Sequence, residues 1–324
     1  MINLETKLSK LVPNVARRIG PRVGIELEYE GFSPRQFAAT ETKVTKWYLE
    51  NDPSLRGGGI ELISTILQPG AVKSALEEAV NIIKASRAKA HIRCGVHVHL
   101  NMSDVVIKHL WNLIVLYVLM EPSIFKQFAD GRESSHFCVP LWCNALFAQT
   151  LYGDIKHLRV GMKAYKQPAQ DEPILWRDHP IEAGMVQEAN IRVPGRIHDP
   201  LRRIPKPQPQ LGVFNCIKYS ALNFKPLSTL GSIEFRQHPA TTDMKKIQRW
   251  VDFLLGLRAL AEEYDDPLDI LDQYEEIGRA GMCEKVGLEH NNVDELDQEE
   301  AIDVATMAAG HKPTPWNELE WEIN

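Results

Sequence analysis

Three glutamates occupy alternate positions in the segment VGIELEYEG, residues 23–31. Glu26, Glu28 and Glu30 alternate with apolar residues, which is the pattern of a β-strand with one charged face. Side chains two positions apart on a strand are about 7 Å apart, so three carboxylates on one face repel one another unless a cation lies between them. Carboxylate oxygens are suitable ligands for a divalent metal ion. The segment therefore indicates a candidate metal-binding strand.

Three later segments repeat this alternation of apolar and ionisable residues. The alternating residues are Glu61 in GIELIS, His97 and His99 in GVHVHL, and Glu234, Arg236 and His238 in SIEFRQHP. Any one such strand is typical of an ordinary sheet with one solvated face. Together, the four segments carry five glutamates, three histidines and one arginine, and a merely solvated face would be more mixed. The set favours a shared site for metal or phosphate chemistry.

Helical periodicity predicts elements that cover the apolar face of this sheet. Leu76, Val80 and Ile83 recur at helical spacing between residues 71 and 90, which indicates an amphipathic helix. Ser103 is a typical N-cap residue, followed by an apolar helix that is expected to end before Pro122.

Two further elements are expected after the middle of the chain. Residues 217–224 and 232–238 are predicted to form a hairpin. Thr241 or Thr242 should then cap a long helix with Asp243 in its first turn. The buried face of this helix is predicted to comprise Ile247, Trp250, Val251, Leu254 and Leu257.

The composition, with 44% hydrophobic and 25% charged residues, is typical of a soluble globular protein. The first 20 residues lack the apolar core of a signal peptide, and the longest apolar run, residues 110–120, is interrupted by Asn112. We therefore expect a cytoplasmic protein without a membrane partner. The five cysteines form no CxxC pair, so neither a disulfide framework nor a cysteine zinc site is expected.

Charge is distributed unevenly along the chain. Residues 262–324 carry 19 acidic and 3 basic residues, whereas residues 1–261 carry 24 acidic and 34 basic residues, so the net charges are -16 and +10. A basic body suits an anionic nucleotide or nucleic acid, but no nucleic-acid-binding motif is present and a nucleic-acid partner is not expected. The basic, proline-rich segment 192–210 is either a solvated insertion or a phosphate-facing lid.

Five motifs in a fixed order resemble the amidoligase family, whose relatives include glutamine synthetase and glutamate cysteine ligase. The motifs are GIELEYEG, DPSLRGGGIELIS, CGVHVHL, KYSALNF and SIEFRQHPATTD, and they span roughly residues 22–260. The resemblance implies an α+β fold with a curved, mainly antiparallel sheet of about six strands, metal and ATP on its concave face, and helices on its convex face. It also implies a catalytic domain over residues 22–263 with an insertion at 121–210. An N-terminal extension, 1–21, and an acidic helical appendage, 264–324, would flank that domain.

Roles for individual residues follow from the same resemblance. Glu26, Glu28, Glu61 and Glu234 are the implied metal ligands, and Glu234 and Arg236 are the implied catalytic residues. Arg236 would face the transferring phosphate. The implied nucleotide-binding residues are His97, His99, Lys218, Asn223 and Arg236, and Asp52 is a weaker match. Pro53 departs from the family pattern, because a glycine is expected after the aspartate.

The implied reaction is ATP-dependent amide formation with Mg²⁺ or Mn²⁺, in which a carboxylate becomes an acyl phosphate and an amine displaces the phosphate. The expected partners are ATP, a carboxylate donor and an amine acceptor. Two alternatives remain open on the sequence. One is a metallohydrolase in which His97, His99 and a glutamate hold Zn²⁺ and activate water. The other is a catalytically silent nucleotide-binding assembly factor.

Overall fold

One antiparallel sheet of six strands forms the centre of the molecule. The computed structural model describes residues 5–11, 18–31, 46–52, 55–56, 59–86, 88–129, 131–135, 137–144, 147, 220–289 and 293–310. The strands are β1 (Val23–Tyr29), β2 (Trp47–Asn51), β3 (Ile60–Ser64), β4 (Gly95–Asn101), β5 (Leu222–Asn223) and β6 (Ser232–Pro239). Their order across the sheet is β2-β3-β1-β4-β6-β5. The prediction of about six mainly antiparallel strands is confirmed, whereas a glutamine synthetase-like fold stays a prediction.

In the part of the chain that the structure describes, five long helices accompany the sheet. The α-helices are α1 (Leu8–Leu11), α2 (Val72–Ser86), α3 (Ile107–Ile124), α4 (Leu227–Leu230), α5 (Met244–Ala261), α6 (Pro267–Val286) and α7 (Glu295–Gly310). The apolar positions of the strands, such as Leu27, Val98 and Phe235, are fully buried in one core with residues of α2, α3 and α5. The amphipathic helix predicted between residues 71 and 90 is thus confirmed as α2.

Helix α3 differs from the prediction at both ends. It begins at Ile107 after an extended Val106, and Ser103 instead binds Arg18 and Asn101. At the other end the helix passes through Pro122 and continues as a π-helical turn, Phe125–Ala129. Pro122 has no N–H to donate and its ring crowds the preceding turn, but the N–H of Phe125 donates to the carbonyls of Glu121 and Pro122, so the helix continues past the proline.

The hairpin predicted before the long helix is confirmed in its described part, because β5 pairs with β6 in antiparallel register. The connection contains the short helix α4, which ends at Gly231 with a φ of 69°. Helix α5 is capped by Asp243, whose carboxylate accepts the N–H of Lys245, and not by Thr241 or Thr242. All five predicted buried residues of α5 are buried.

The acidic C-terminal region contributes to the same core as the sheet. Trp111 of α3 donates its indole N–H to the Ala308 carbonyl of α7 at 2.7 Å, and Gln298 of α7 donates to the Leu119 carbonyl at 3.1 Å. The domain boundaries and the cytoplasmic location stay predictions. Across the described residues, no helix combines the length and apolar character needed to cross a bilayer. The segment 192–210 lies outside the described residues.

Candidate active site

The register of the strands brings the predicted ligand residues together on the face of the sheet opposite the helices. Directly paired residues are Glu26 with His97, Glu28 with Glu61, and His99 with Glu234. Side chains of directly opposed residues are the closest neighbours across a sheet. We call this group of six residues the carboxylate-histidine cluster. Four neighbouring strands, β3, β1, β4 and β6, supply it.

His97 lies at the centre of the carboxylate-histidine cluster and is only 2% exposed. Its Nδ1 is 3.4 Å from Oε2 of Glu26 and 3.3 Å from Oε1 of Glu234. Its Nε2 is 3.6 Å from Oε1 of Glu28 on the other side of the ring. The two ring nitrogens of one histidine therefore face two different groups of carboxylates.

Two sets of three residues have the spacing needed to hold a cation. In the first set, Glu26, His97 and Glu234, one ligand atom of each residue lies within 4.8 Å of the others. The same spacing holds for Glu28, Glu61 and His97. A metal ion about 2 Å from each ligand atom is compatible with this spacing. Both sets consist of residues that the sequence predicted to share one face.

Two buried ring nitrogens support this fit to a cation. Nδ1 of His97 and Nε2 of His99 have no hydrogen-bond partner, although Nε2 of His99 is 3.1 Å from Oε1 of Glu26. Nδ1 of His99 lies 3.1 Å from the hydroxyl of Ser232, a contact that can fix the tautomer with the Nε2 lone pair directed towards the carboxylates. Unpaired buried nitrogens beside carboxylates fit a divalent ion.

The electrostatics of the carboxylate-histidine cluster are uneven. Burial raises the pKa of Glu61 to about 7, and the carboxylates of Glu26 and Glu28 add to the rise against the influence of His97. Burial also raises the pKa of Glu26, but the rings of His97 and His99 outweigh it and hold that pKa well below its usual range. Neighbouring histidines thus favour the charged form of Glu26, whereas burial and neighbouring carboxylates disfavour the charged form of Glu61.

Arg236 points onto the same face as the carboxylate-histidine cluster. Its Nη1 donates to Oε1 of Glu234, and its Nε donates to the Phe137 carbonyl at 3.4 Å. Burial lowers the pKa of Arg236, but the charges of Glu234 and Glu28 raise it by more than burial lowers it. The net pKa is raised, so the guanidinium stays charged. The predicted nucleotide-binding residue Asn223 reaches the site through Glu234, to whose Oε2 it donates at 2.7 Å.

His238 does not lie on this face, and that expectation was wrong. Strand β6 pairs Phe235 with Val98 and His238 with Val96, so β6 has one residue more than β4 between these pairs. This β-bulge reverses the alternation and turns His238 towards the helices, where its ring lies 6.0 Å from that of Trp250. A bulge depends on the partner strand, so the pattern of β6 alone could not reveal it.

The other candidates lie at the margin or outside the described residues. Glu30 binds Arg93 and the backbone N–H of Arg56 and is separate from the carboxylate-histidine cluster. Asp52 lies close enough to Glu61 to raise its pKa. Lys218 lies outside the described residues.

The sequence patterns predicted neither a role for Gly95 nor the presence of strand β2. The N–H of Gly95 donates to Oε2 of Glu28 at 2.6 Å, and a Cβ at this position would be 2.8 Å from Nε2 of His97. A glycine directly before the HVH strand was the available signal. On β2, Glu50 pairs with Glu61 and extends the row of carboxylates.

The chain matches a known protein-family model. A family model described as "Putative amidoligase enzyme" matches residues 42–151, about a third of the chain. This match confirms the resemblance drawn from the motifs and indicates a ligase-type function. The matched range contains Glu61, His97 and His99, whereas Glu26, Glu28, Glu234 and Arg236 lie outside it. No curated protein matches the chain.

Proposed function

We propose that this chain, whose residues 42–151 match the amidoligase family, is an ATP- and Mg²⁺-dependent ligase that joins a carboxylate to an amine. The observation that carries the proposal is the partly buried carboxylate-histidine cluster with a charged arginine, Arg236, bound to one of its members. Hydrolysis of a phosphoanhydride can drive amide formation, and both features suit the handling of phosphoryl groups.

The ligand residues divide between the two sets that share His97. Glu26 and Glu234 would hold a cation on one side of the ring, and Glu28 and Glu61 on the other. Bound Mg²⁺ or Mn²⁺ would neutralise charge on the triphosphate. Oxygen-rich ligand sets favour these hard ions.

Arg236 is proposed to contact the transferring phosphoryl group. A planar guanidinium offers several fixed donors, so it can hold Glu234 and still bind phosphoryl oxygens as charge develops there. Asn223 would keep Glu234 oriented through its 2.7 Å hydrogen bond. The nucleotide contacts proposed for His97, His99 and Lys218 rest on the resemblance alone.

The proposed reaction has two steps. In the first, a substrate carboxylate oxygen bonds to the γ-phosphorus of ATP, the bond to the ADP oxygen breaks, and an acyl phosphate forms. In the second, the amine nitrogen bonds to the acyl carbon and phosphate leaves. The net products are the amide, ADP, phosphate and one proton.

One observation favours a second candidate, a zinc-dependent hydrolase. The unpaired nitrogens of His97 and His99 both lie near Glu26, and imidazole nitrogens with a carboxylate are suitable zinc ligands. Arg236 on the same face favours phosphoryl transfer over water activation, since a buried cation beside a metal site suits a highly charged substrate.

The test is a screen of paired carboxylates and amines with ATP and Mg²⁺. We expect release of ADP and phosphate only when both substrates are present, and a product equal in mass to their sum less one water. Hydroxylamine in place of the amine should yield a hydroxamate. Glu234→Gln should suppress ADP release and product together, whereas Glu30→Gln, outside the carboxylate-histidine cluster, should leave both intact.

A different result would replace the proposal. Amide cleavage with Zn²⁺ and no nucleotide would establish the hydrolase. Tight ATP binding without turnover of any substrate pair would favour the catalytically silent assembly factor.

A further inference from the structure

Arg236 sits in the β-bulge of strand β6, between the pairs Phe235–Val98 and His238–Val96. Arg236 and Gln237 follow the ordinary alternation of a strand, so their side chains lie on opposite faces of the sheet. Arg236 binds Glu234 on the face of the carboxylate-histidine cluster, whereas Gln237 donates from Nε2 to the hydroxyl of Tyr117 on α3 at 2.8 Å. The side chain of Gln237 thus anchors the backbone that directs Arg236.

The anchor continues to a buried carboxyl group, that of Glu121, whose pKa burial raises to about 8. The hydroxyl of Tyr117 donates to Oε1 of Glu121 at 2.9 Å, and Tyr117, Glu121 and Gln237 are all fully buried. A tyrosine hydroxyl has one proton, and this one is given to Glu121. An oxygen of Gln237 in place of its nitrogen would face a hydroxyl with no proton left to donate, so Tyr117 and Glu121 determine the orientation of the amide.

The second oxygen of Glu121 holds a segment that contacts Arg236 directly. Oε2 accepts the backbone N–H of Leu141 at 2.7 Å and that of Trp142 at 3.2 Å. The same segment, residues 137–144, provides the Phe137 carbonyl that accepts from Nε of Arg236. The two oxygens of one carboxyl group therefore lead by separate routes to one guanidinium on the other side of the sheet.

We infer that Glu121 is a positioning residue for Arg236, acting through Tyr117 and Gln237 on one side and through residues 137–144 on the other. The inference rests on the proposed function for its kinetic consequence. A buried glutamate that only stabilises the fold would be satisfied by the two backbone N–H groups. The chain from Tyr117 to the bulge residue next to Arg236 is the feature that such a role does not require.

The test compares Tyr117→Phe with Tyr264→Phe, which removes a hydroxyl bonded to Gln273 of helix α6. Displacement of a reacting group lowers turnover, and we expect Tyr117→Phe to lower kcat about tenfold with the KM for ATP unchanged. Tyr264→Phe should leave kcat unchanged. Glu121→Gln, a second variant of similar volume, should lower kcat at least as much as Tyr117→Phe.

A double-mutant comparison separates positioning from general stability. In an Arg236→Lys background, Tyr117→Phe should lower kcat no further, because the guanidinium it positions is gone. An equal loss in both backgrounds, or an unchanged kcat in the wild-type background, would overturn the inference.

NMR spectroscopy can test the position of Arg236 even if the protein shows no ligase activity. The Nε–H resonance of Arg236 can be assigned by its loss in Arg236→Lys. It should shift in Tyr117→Phe and Glu121→Gln and stay in place in Tyr264→Phe. Shifts without any ligase turnover would support the positioning role and reject only the reaction. A resonance that does not respond to either change at the Tyr117–Glu121 pair would reject the positioning role itself.

Discussion

Glu28, near the end of β1, and Glu30, just after that strand, are two positions apart, yet their carboxylates have different partners. Glu30 is held by the guanidinium of Arg93 at 2.7 Å and the N–H of Arg56 at 2.9 Å, and these donors hold its pKa below the usual range. Glu28 has the N–H of Gly95 and a ring nitrogen of His97, and it faces Glu61 directly.

The different partners of the two glutamates indicate which carboxylates are available to a metal ion. Glu30 is neutralised by a guanidinium outside the carboxylate-histidine cluster, whereas carboxylates gathered within that cluster repel one another until a cation arrives. Glu234 also binds a guanidinium, but it shares the His97 ring with Glu26 and so stays a candidate ligand. Among the described residues, Glu26, Glu28 and Glu61 form no ion pair with a lysine or arginine. The alternating pattern alone did not separate Glu30 from the others.

The largest expected effect comes from contrasting two arginine–glutamate pairs. Arg236→Lys keeps the charge beside Glu234 but loses the planar fork, so we expect turnover to fall at least about 100-fold with the fold intact. Arg93→Lys is the matched control beside Glu30 and should retain turnover. Steady-state kinetics and circular dichroism of both variants are the measurements. Comparable turnover in the two variants would make both pairs structural.

The second prediction concerns metal-dependent stability. Saturating Mg²⁺ or Mn²⁺ should stabilise the protein by about 2.7 kcal/mol at 100 times the dissociation constant. Glu26→Gln and Glu61→Gln should each remove most of this gain, because each deletes a ligand from one of the two sets. Glu30→Gln should retain it. Thermal unfolding without nucleotide is the measurement, and variants that all respond like the wild type would make the cluster a solvated surface.

A smaller effect is expected from two glycines on the same face. An added Cβ at Gly95 would be 2.8 Å from Nε2 of His97, whereas one at Gly24 would be at an ordinary 3.5 Å from Cβ of His99. Gly95→Ala should displace the buried His97 ring and weaken Mn²⁺ binding about tenfold, the scale of a disturbed ligand orientation. Gly24→Ala should bind as the wild type does. Calorimetric titration with Mn²⁺ distinguishes them, and equal affinities would remove His97 from the ligand set.

The smallest effect extends the comparison to a histidine without carboxylate partners. Burial, aided by Arg132 and Lys246, lowers the pKa of His238 to about 4, although its contact with the Pro239 carbonyl opposes this. A depressed pKa means that the stability contribution of neutral His238 is present above the unfolded pKa of about 6.5 and is lost as pH falls towards 4.

His238→Gln provides the measurement. Between pH 6.5 and 5.5, the free energy of unfolding of the wild type should fall by about 1 kcal/mol more than that of the variant. Urea unfolding at the two pH values measures this difference. A difference between the two proteins that does not change with pH would show that His238 is not buried in its neutral form.

Much of the candidate site could be predicted from local pattern. Alternation has a period of two because successive side chains on a strand point to opposite faces, and this stereochemistry needs no knowledge of the partner strand. It correctly grouped Glu26, Glu28, Glu61, His97 and His99 on one face. The buried stripe of α5 followed in the same way from a period of 3.6.

Features that depend on residues far apart in the chain could not be predicted from the local pattern. Arg93, 63 positions from Glu30, binds that glutamate outside the carboxylate-histidine cluster. Pairing with β4 creates the bulge that turns His238 away and leaves Arg236 beside Glu234. Glu121 lies inside an apolar helix and accepts a hydrogen bond from residue 141, 20 positions along the chain. Its link to strand β6 runs through Tyr117, which accepts a hydrogen bond from Gln237. Local sequence thus determined which face each side chain occupies, whereas long-range packing determined which charges are already neutralised.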